Sequence, residues 1–175
     1  SMVALDLISR KSGGIKKYIN GLWNEAERVT PKGVSINASG LEKSLDKLEK
    51  SMTAGGKKPS TIKSLEKIGE IRNEIKNGKI PVDRLIPFRK SINEVIDEMG
   101  GFSYEVPFKH RPQAKFNLNQ VKSNVINTVN KYAEKFNPEL AKAWKNANEA
   151  SAAYSQSNKI ANFIQKKIPY VPKSE

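Results

Sequence analysis

The sequence predicts an all-α fold, an elongated multi-helix bundle of about six helices with one long helix at the C-terminus. Three observations predict it. Apolar residues recur at three- and four-residue intervals in successive windows, the spacing of one buried helical stripe. Proline, glycine and asparagine gather between those windows, where the chain has to turn. Only Val34-Ser35-Ile36 has extended character, and with no partner strand it reads as a connector rather than sheet.

The elements follow in order. Ile15, Tyr18, Ile19, Leu22, Trp23 and Ala26 make the first stripe, set off from an apolar leader, Val3 to Ile8, by Gly13-Gly14 and stopped by Pro31 and Gly33. Ser39 followed by Glu42 is a capping-box signature, in which two side chains satisfy backbone donors at a helix start; Leu41, Leu45, Leu48 and Met52 then fall on one face. The segment 54–59 (AGGKKP) is the most exposed linker in the chain. Ser60 or Thr61 caps a third helix bearing Ile62, Leu65, Ile68, Ile71 and Ile75, with Asn77-Gly78 as its stop. A turn through Ile80-Pro81-Val82-Asp83 leads to a fourth, carrying Leu85, Phe88, Ile92, Val95, Ile96 and Met99, with Pro87 expected in its first turn. The crossover 102–113 holds Phe102, Tyr104 and Phe108 as anchors. A fifth helix runs from about Ala114 to Phe136 through Leu118, Val121, Val125 and Val129. Asn137-Pro138-Glu139 then supplies cap, first-turn proline and N-terminal carboxylate for the sixth, which Pro169 stops.

Two regions result: an N-terminal helical pair at 1–55, a candidate separate lobe, and a bundle at 60–169 containing a long antiparallel C-terminal helix pair. Small residues along the last helix, with Trp144, Tyr154 and Phe163 among them, suit close packing against the fifth helix; the same three side chains are the candidate contacts for a partner helix. No apolar run reaches the roughly eighteen residues of a membrane span, and no signal-peptide pattern is present. Ser1-Met2 reads as an expression scar, and the chain as compatible with a piece of a longer protein. Membrane contact remains open only through Ile160, Phe163, Ile164 and Ile168 set against Lys159, Lys166 and Lys167, with core packing preferred.

Chemistry is constrained by what the chain lacks. Without cysteine there is no thiolate nucleophile or thiolate metal site, and His110 is the only imidazole, so neither a catalytic triad nor a zinc site is expected, and no cofactor. GxxxxGK, GxGxxG and HExxH are all missing. Glu105, flanked by aromatics, is the one candidate acid for glycan cleavage, and a loop ion pair is its preferred role. The net charge of +13 attracts polyanions, but it is carried mostly by dispersed lysines rather than clustered arginines. Asn119, Gln120, Asn124 and Asn127 lie on the polar side of the fifth helix beside Lys115 and Lys122; of these, Lys115, Asn119 and Lys122 are the candidate nucleic-acid contacts, and a solvated face is the plainer reading.

Two stretches, IPVDRLIPFRKSINEVI from Ile80 and NLNQVKSNVINTVNKYAEKFNPELAKAWKNANEASAAYSQSNKIANFI from Asn117, resemble helical segments of large virion-associated or polyvalent proteins of tailed bacteriophages. They cover a little over a third of the chain. The resemblance implies a non-enzymatic structural or interaction module, located in the virion or the cytoplasm of the infected cell, with another virion or host protein as partner and homo-oligomers compatible with it. It brings no catalytic residue. The alternatives are a basic, non-sequence-specific DNA-binding protein and an accessory domain of a cell-wall glycan hydrolase.

Overall fold

The computed structural model describes residues 12–54, 62–98 and 111–167, and these form six helices and one two-stranded sheet. In chain order they are α1 (Ser12–Val29), β1 (Ser35–Asn37), α2 (Ser39–Met52), α3 (Ile62–Glu74), β2 (Lys79–Pro81), α4 (Val82–Glu98), α5 (Arg111–Phe136) and α6 (Pro138–Lys167). The expected all-α class holds. The linker 54–59 (apart from Ala54), the crossover as far as His110, with Glu105 in it, and Pro169 lie outside the described residues, while Arg111 to Gln113 of the expected crossover begin α5 instead.

Two differences from the sequence reading matter for the site. First, Val34-Ser35-Ile36 is not a lone connector: β1 pairs antiparallel with β2 in the register Ser35 to Pro81, Ile36 to Ile80 and Asn37 to Lys79. Second, Asn77-Gly78 does not stop a helix, which has already ended at Glu74. Both residues have positive φ, 54° and 71°, and Lys76 and Lys79 exchange backbone hydrogen bonds across them at 2.8 and 3.0 Å. That is a two-residue hairpin turn of the kind that Asn-Gly favours, and it feeds the chain into β2.

The sheet also moves two helix starts. Val82 donates its N–H to Val34 O at 2.8 Å, so α4 begins directly at the end of β2, and Pro87 falls in its second turn rather than its first. The exposed ring sits where an interior N–H would have bonded the carbonyl of Asp83. At α2, Ser39 is the first helical residue and not the cap; no capping box forms. Asn37 Oδ1 accepts both the Ser39 N–H and the Ser39 hydroxyl, each at 2.9 Å, and so does the work that Ser39 was expected to do.

Packing divides the chain into two compact units, residues 29–141 and residues 1–28 with 142–175, the boundaries falling inside α1 and α6. In the larger unit α2 lies along α5, with α4 also packed on α5 and α3 on both α2 and α4. Leu41, Leu45 and Leu48 of α2 are fully buried, as are Leu85 and Ile86 of α4 and Val125 and Val129 of α5. Each such side chain contributes about 1.5 to 3 kcal/mol on burial. Arg72 of α3 forms ion pairs with Asp46 and Glu49 of α2, across one side of this core. Arg89 is buried to 1% exposure, and loss of hydration pushes its guanidinium down to about 10.

The smaller unit is built on indoles. Trp23 of α1 and Trp144 of α6 meet edge to face with centroids 5.7 Å apart, and the Trp23 Nε1–H donates to Ser151 Oγ at 3.0 Å. Tyr18, placed on the buried stripe by its spacing, is 65% exposed: among the described residues of α1 only Trp23 and Ala26 are buried in this unit. The Arg28 guanidinium hydrogen-bonds Glu25 and holds its carboxyl below the usual range. In the larger unit α5 packs on α2 and α4, and in the smaller one Trp144 and Ser151 of α6 meet Trp23 of α1.

Candidate groove along helix α5

A concavity of the larger unit lies between the β1–α2 segment and one flank of α5. Its volume is about 960 Å³, and an adjoining hollow of about 520 Å³ continues it along α2 and α5, sharing Gly40 and Asn124. One wall is backbone and small side chains, from Val34 to Gly40. The other is the α5 flank bearing Gln120, Asn124, Asn127, Thr128 and Lys131.

Helical geometry explains why that flank is polar. Ala114, Leu118, Val121, Val125, Val129 and Ala133 take the buried face, so residues a little over a quarter turn to one side emerge at the groove. Most of those residues are amides. Gln113 Nε2 donates to Asn117 Oδ1 at 3.1 Å, and the buried Asn117 donates through Nδ2 to Lys47 O of α2 at 3.2 Å. This short amide chain ties α5 to α2 beside the smaller hollow, while Gln120, Asn124 and Asn127 line the hollows themselves.

An exposed phenyl ring marks each end of the run. Phe116, 58% exposed, lines the smaller hollow, and Phe136, 66% exposed, lines the larger. Phe136 is backed by Tyr132 at 5.7 Å between centroids, and the Lys135 ammonium lies 5.3 Å over its ring. The charged side chains of the two hollows are Lys43, Lys47 and Lys131 against Glu134, a basic balance.

No family model, curated protein or solved structure matches the chain. The groove must therefore be read from its own residues.

The residues singled out from the sequence fall in different places. Lys115, Asn119 and Lys122 share one face of α5, as their four- and three-residue spacing requires, with Lys122 half-buried. That face is not the groove. Asn119 and the two lysines project from one side of the buried stripe and Gln120, Asn124 and Asn127 from the other, so the single polar side expected of this helix is two surfaces. Trp144 is fully buried against Trp23, Tyr154 is half-buried on α6, and the side chain of Phe163 lies outside the described residues. Among the described residues no three His, Cys, Asp or Glu gather to hold a metal, and no helix is long and apolar enough to cross a membrane.

Sequence reasoning missed the β1 wall and the Phe136 platform. The signal for the wall was present: Asn77-Gly78 followed by Lys79-Ile80-Pro81 is a hairpin turn leading into a short strand. Nothing local marked Phe136 as exposed, because it continues the apolar count of α5.

Proposed function

We propose that this chain is a non-enzymatic helical interaction module whose working surface is the groove along α5. The observation that carries the reading is the composition of that groove: backbone edge, side-chain amides and exposed rings line one continuous trough, and these are groups that recognise rather than react. The resemblance of the stretches from Ile80 and Asn117 supports reading the module as part of a virion-associated protein of tailed phages, acting in the virion or in the infected cell on another virion or host protein. It requires no cofactor.

A second reading has an observation of its own. The Lys115, Asn119 and Lys122 face and the groove lysines Lys43, Lys47 and Lys131 offer two basic surfaces on the larger unit, which suits a protein that escorts DNA through its phosphates. Fluorescence anisotropy with labelled duplex DNA across a salt series separates the two readings. The interaction-module reading expects weak binding that vanishes at physiological salt. Micromolar binding there, with a steep salt slope reduced by Lys115→Glu and Lys122→Glu, overturns it in favour of DNA.

A further inference from the structure

We propose that the outer edge of β1 is a strand-addition site that takes an extended acidic segment of another protein as a third strand. The proposal rests on the interaction-module reading and adds the binding mode and the chemistry of the partner.

In an antiparallel pair, alternate residues turn their backbone groups toward the neighbouring strand and the residues between turn theirs away. Val34 and Ala38 face β2, the first accepting from Val82 N–H at 2.8 Å and the second donating to Gly78 O at 2.7 Å, and Ile36 stands opposite Ile80 between them. Ser35 and Asn37 consequently aim N–H and C=O away from β2. Both residues are exposed, and both line the larger hollow. The side chain of Asn37 is engaged with Ser39, which leaves its backbone groups to the edge.

The other edge of the sheet is closed. Lys79 commits its N–H and C=O to Lys76 across the hairpin turn, and Pro81 has no N–H to offer. Sheets commonly blunt an edge with proline or a covering turn. Here β2 is blunted both ways and β1 in neither, although β1 is the strand that borders the groove.

Charge selects the occupant. In the larger hollow Lys131 is offset by Glu134, and the basic excess comes from Lys43 and Lys47 of the adjoining one; an acidic segment running from β1 into that hollow is favoured, and Phe136 with Tyr132 offers it one apolar seat. A second copy pairing through the same edge would bring two lysine-bearing walls together, which like-charge repulsion opposes. A nucleic acid has no alternating amide ladder to match Ser35 and Asn37.

The test uses the full chain, labelled with nitrogen-15, and a fluorescein-labelled peptide Phe-Glu-Val-Glu-Val-Glu. The expected result is saturable binding in which the Ser35 and Asn37 amide signals shift and become protected from hydrogen exchange. The lysine counterpart, Phe-Lys-Val-Lys-Val-Lys, is expected not to bind. Ser35→Pro and Lys131→Glu should each weaken binding about tenfold, and alternate N-methylation of the peptide backbone should abolish it on the unaltered protein, whatever Ser35→Pro does to folding. Equal binding of the N-methylated peptide overturns strand addition while leaving the groove as the interaction surface. Absence of any shift around the groove with either peptide overturns both. Protection of Ser35 and Asn37 by protein concentration alone, with a doubled mass, gives the edge to a second copy and overturns the acidic-partner assignment.

Discussion

The two compact units solve the same problem with different materials. The larger one spreads its burial over a ladder of aliphatic side chains, Leu41, Leu45 and Leu48 facing Val121, Val125 and Val129 between α2 and α5. The smaller one concentrates burial in Trp23 and Trp144, with alanines and Ser151 around them. A ladder shares its load, so removing one rung leaves neighbours to relax into the gap. An indole pair has less reserve, because each large ring packs edge to face on the other.

That contrast is breakable by substitution. The largest effect is expected for Trp144→Ala, a loss of about 4 kcal/mol with disappearance of the near-UV circular dichroism of the coupled indoles. Leu45→Ala should cost about 3 kcal/mol in urea denaturation, less than Trp144→Ala although the leucine is equally buried; the reverse order breaks the comparison. Ser151→Ala sharpens it, because it removes the acceptor of the buried Trp23 N–H without touching either ring. A loss of about 1.5 kcal/mol is expected, with a changed Trp23 emission maximum as the second readout. The smallest effect is that of Gly78→Ala in the larger unit, about 1 kcal/mol. A Cβ at Gly78 meets no atom within 4 Å, so the cost is only that of φ at +71°, and it should appear as a lowered melting temperature with an unchanged fold.

The aliphatic ladder was legible in the sequence and the indole pair was not, for a physical reason. Leu41, Leu45, Leu48 and Met52 repeat at the helical period, and all four are buried where the period puts them. Trp23 and Trp144 are separated by most of the chain, and no periodicity tells one helix which distant helix will cover it. The same limit hid the sheet. Val34-Ser35-Ile36 and Lys79-Ile80-Pro81 are each too short to announce a strand, and pairing is a property of the two together. Half of the groove is visible in the sequence, where Gln120, Asn124 and Asn127 form part of a polar set; their separation from Lys115, Asn119 and Lys122 depends on where α2 lies against α5.

Local caps divide in the same way. Asn137 caps the last helix as the sequence predicts: its Oδ1 accepts the Leu140 N–H at 3.1 Å, and its own N–H closes α5 on Ala133 O at 2.8 Å. Ser39 has equally good local grounds to be a cap and is not one, because the strand preceding it places Asn37 within reach first.

The small sheet has one more consequence, in time rather than in space. Helical contacts within a few residues of each other form fast, whereas the β1–β2 ladder joins segments with all of α2 and α3 between them, and that loop must close before the ladder returns any hydrogen bond. In a chain otherwise dominated by helices, this clasp is a slow, non-local event. Ile36 and Ile80 thus become the positions at which to look for the rate of folding rather than its strength.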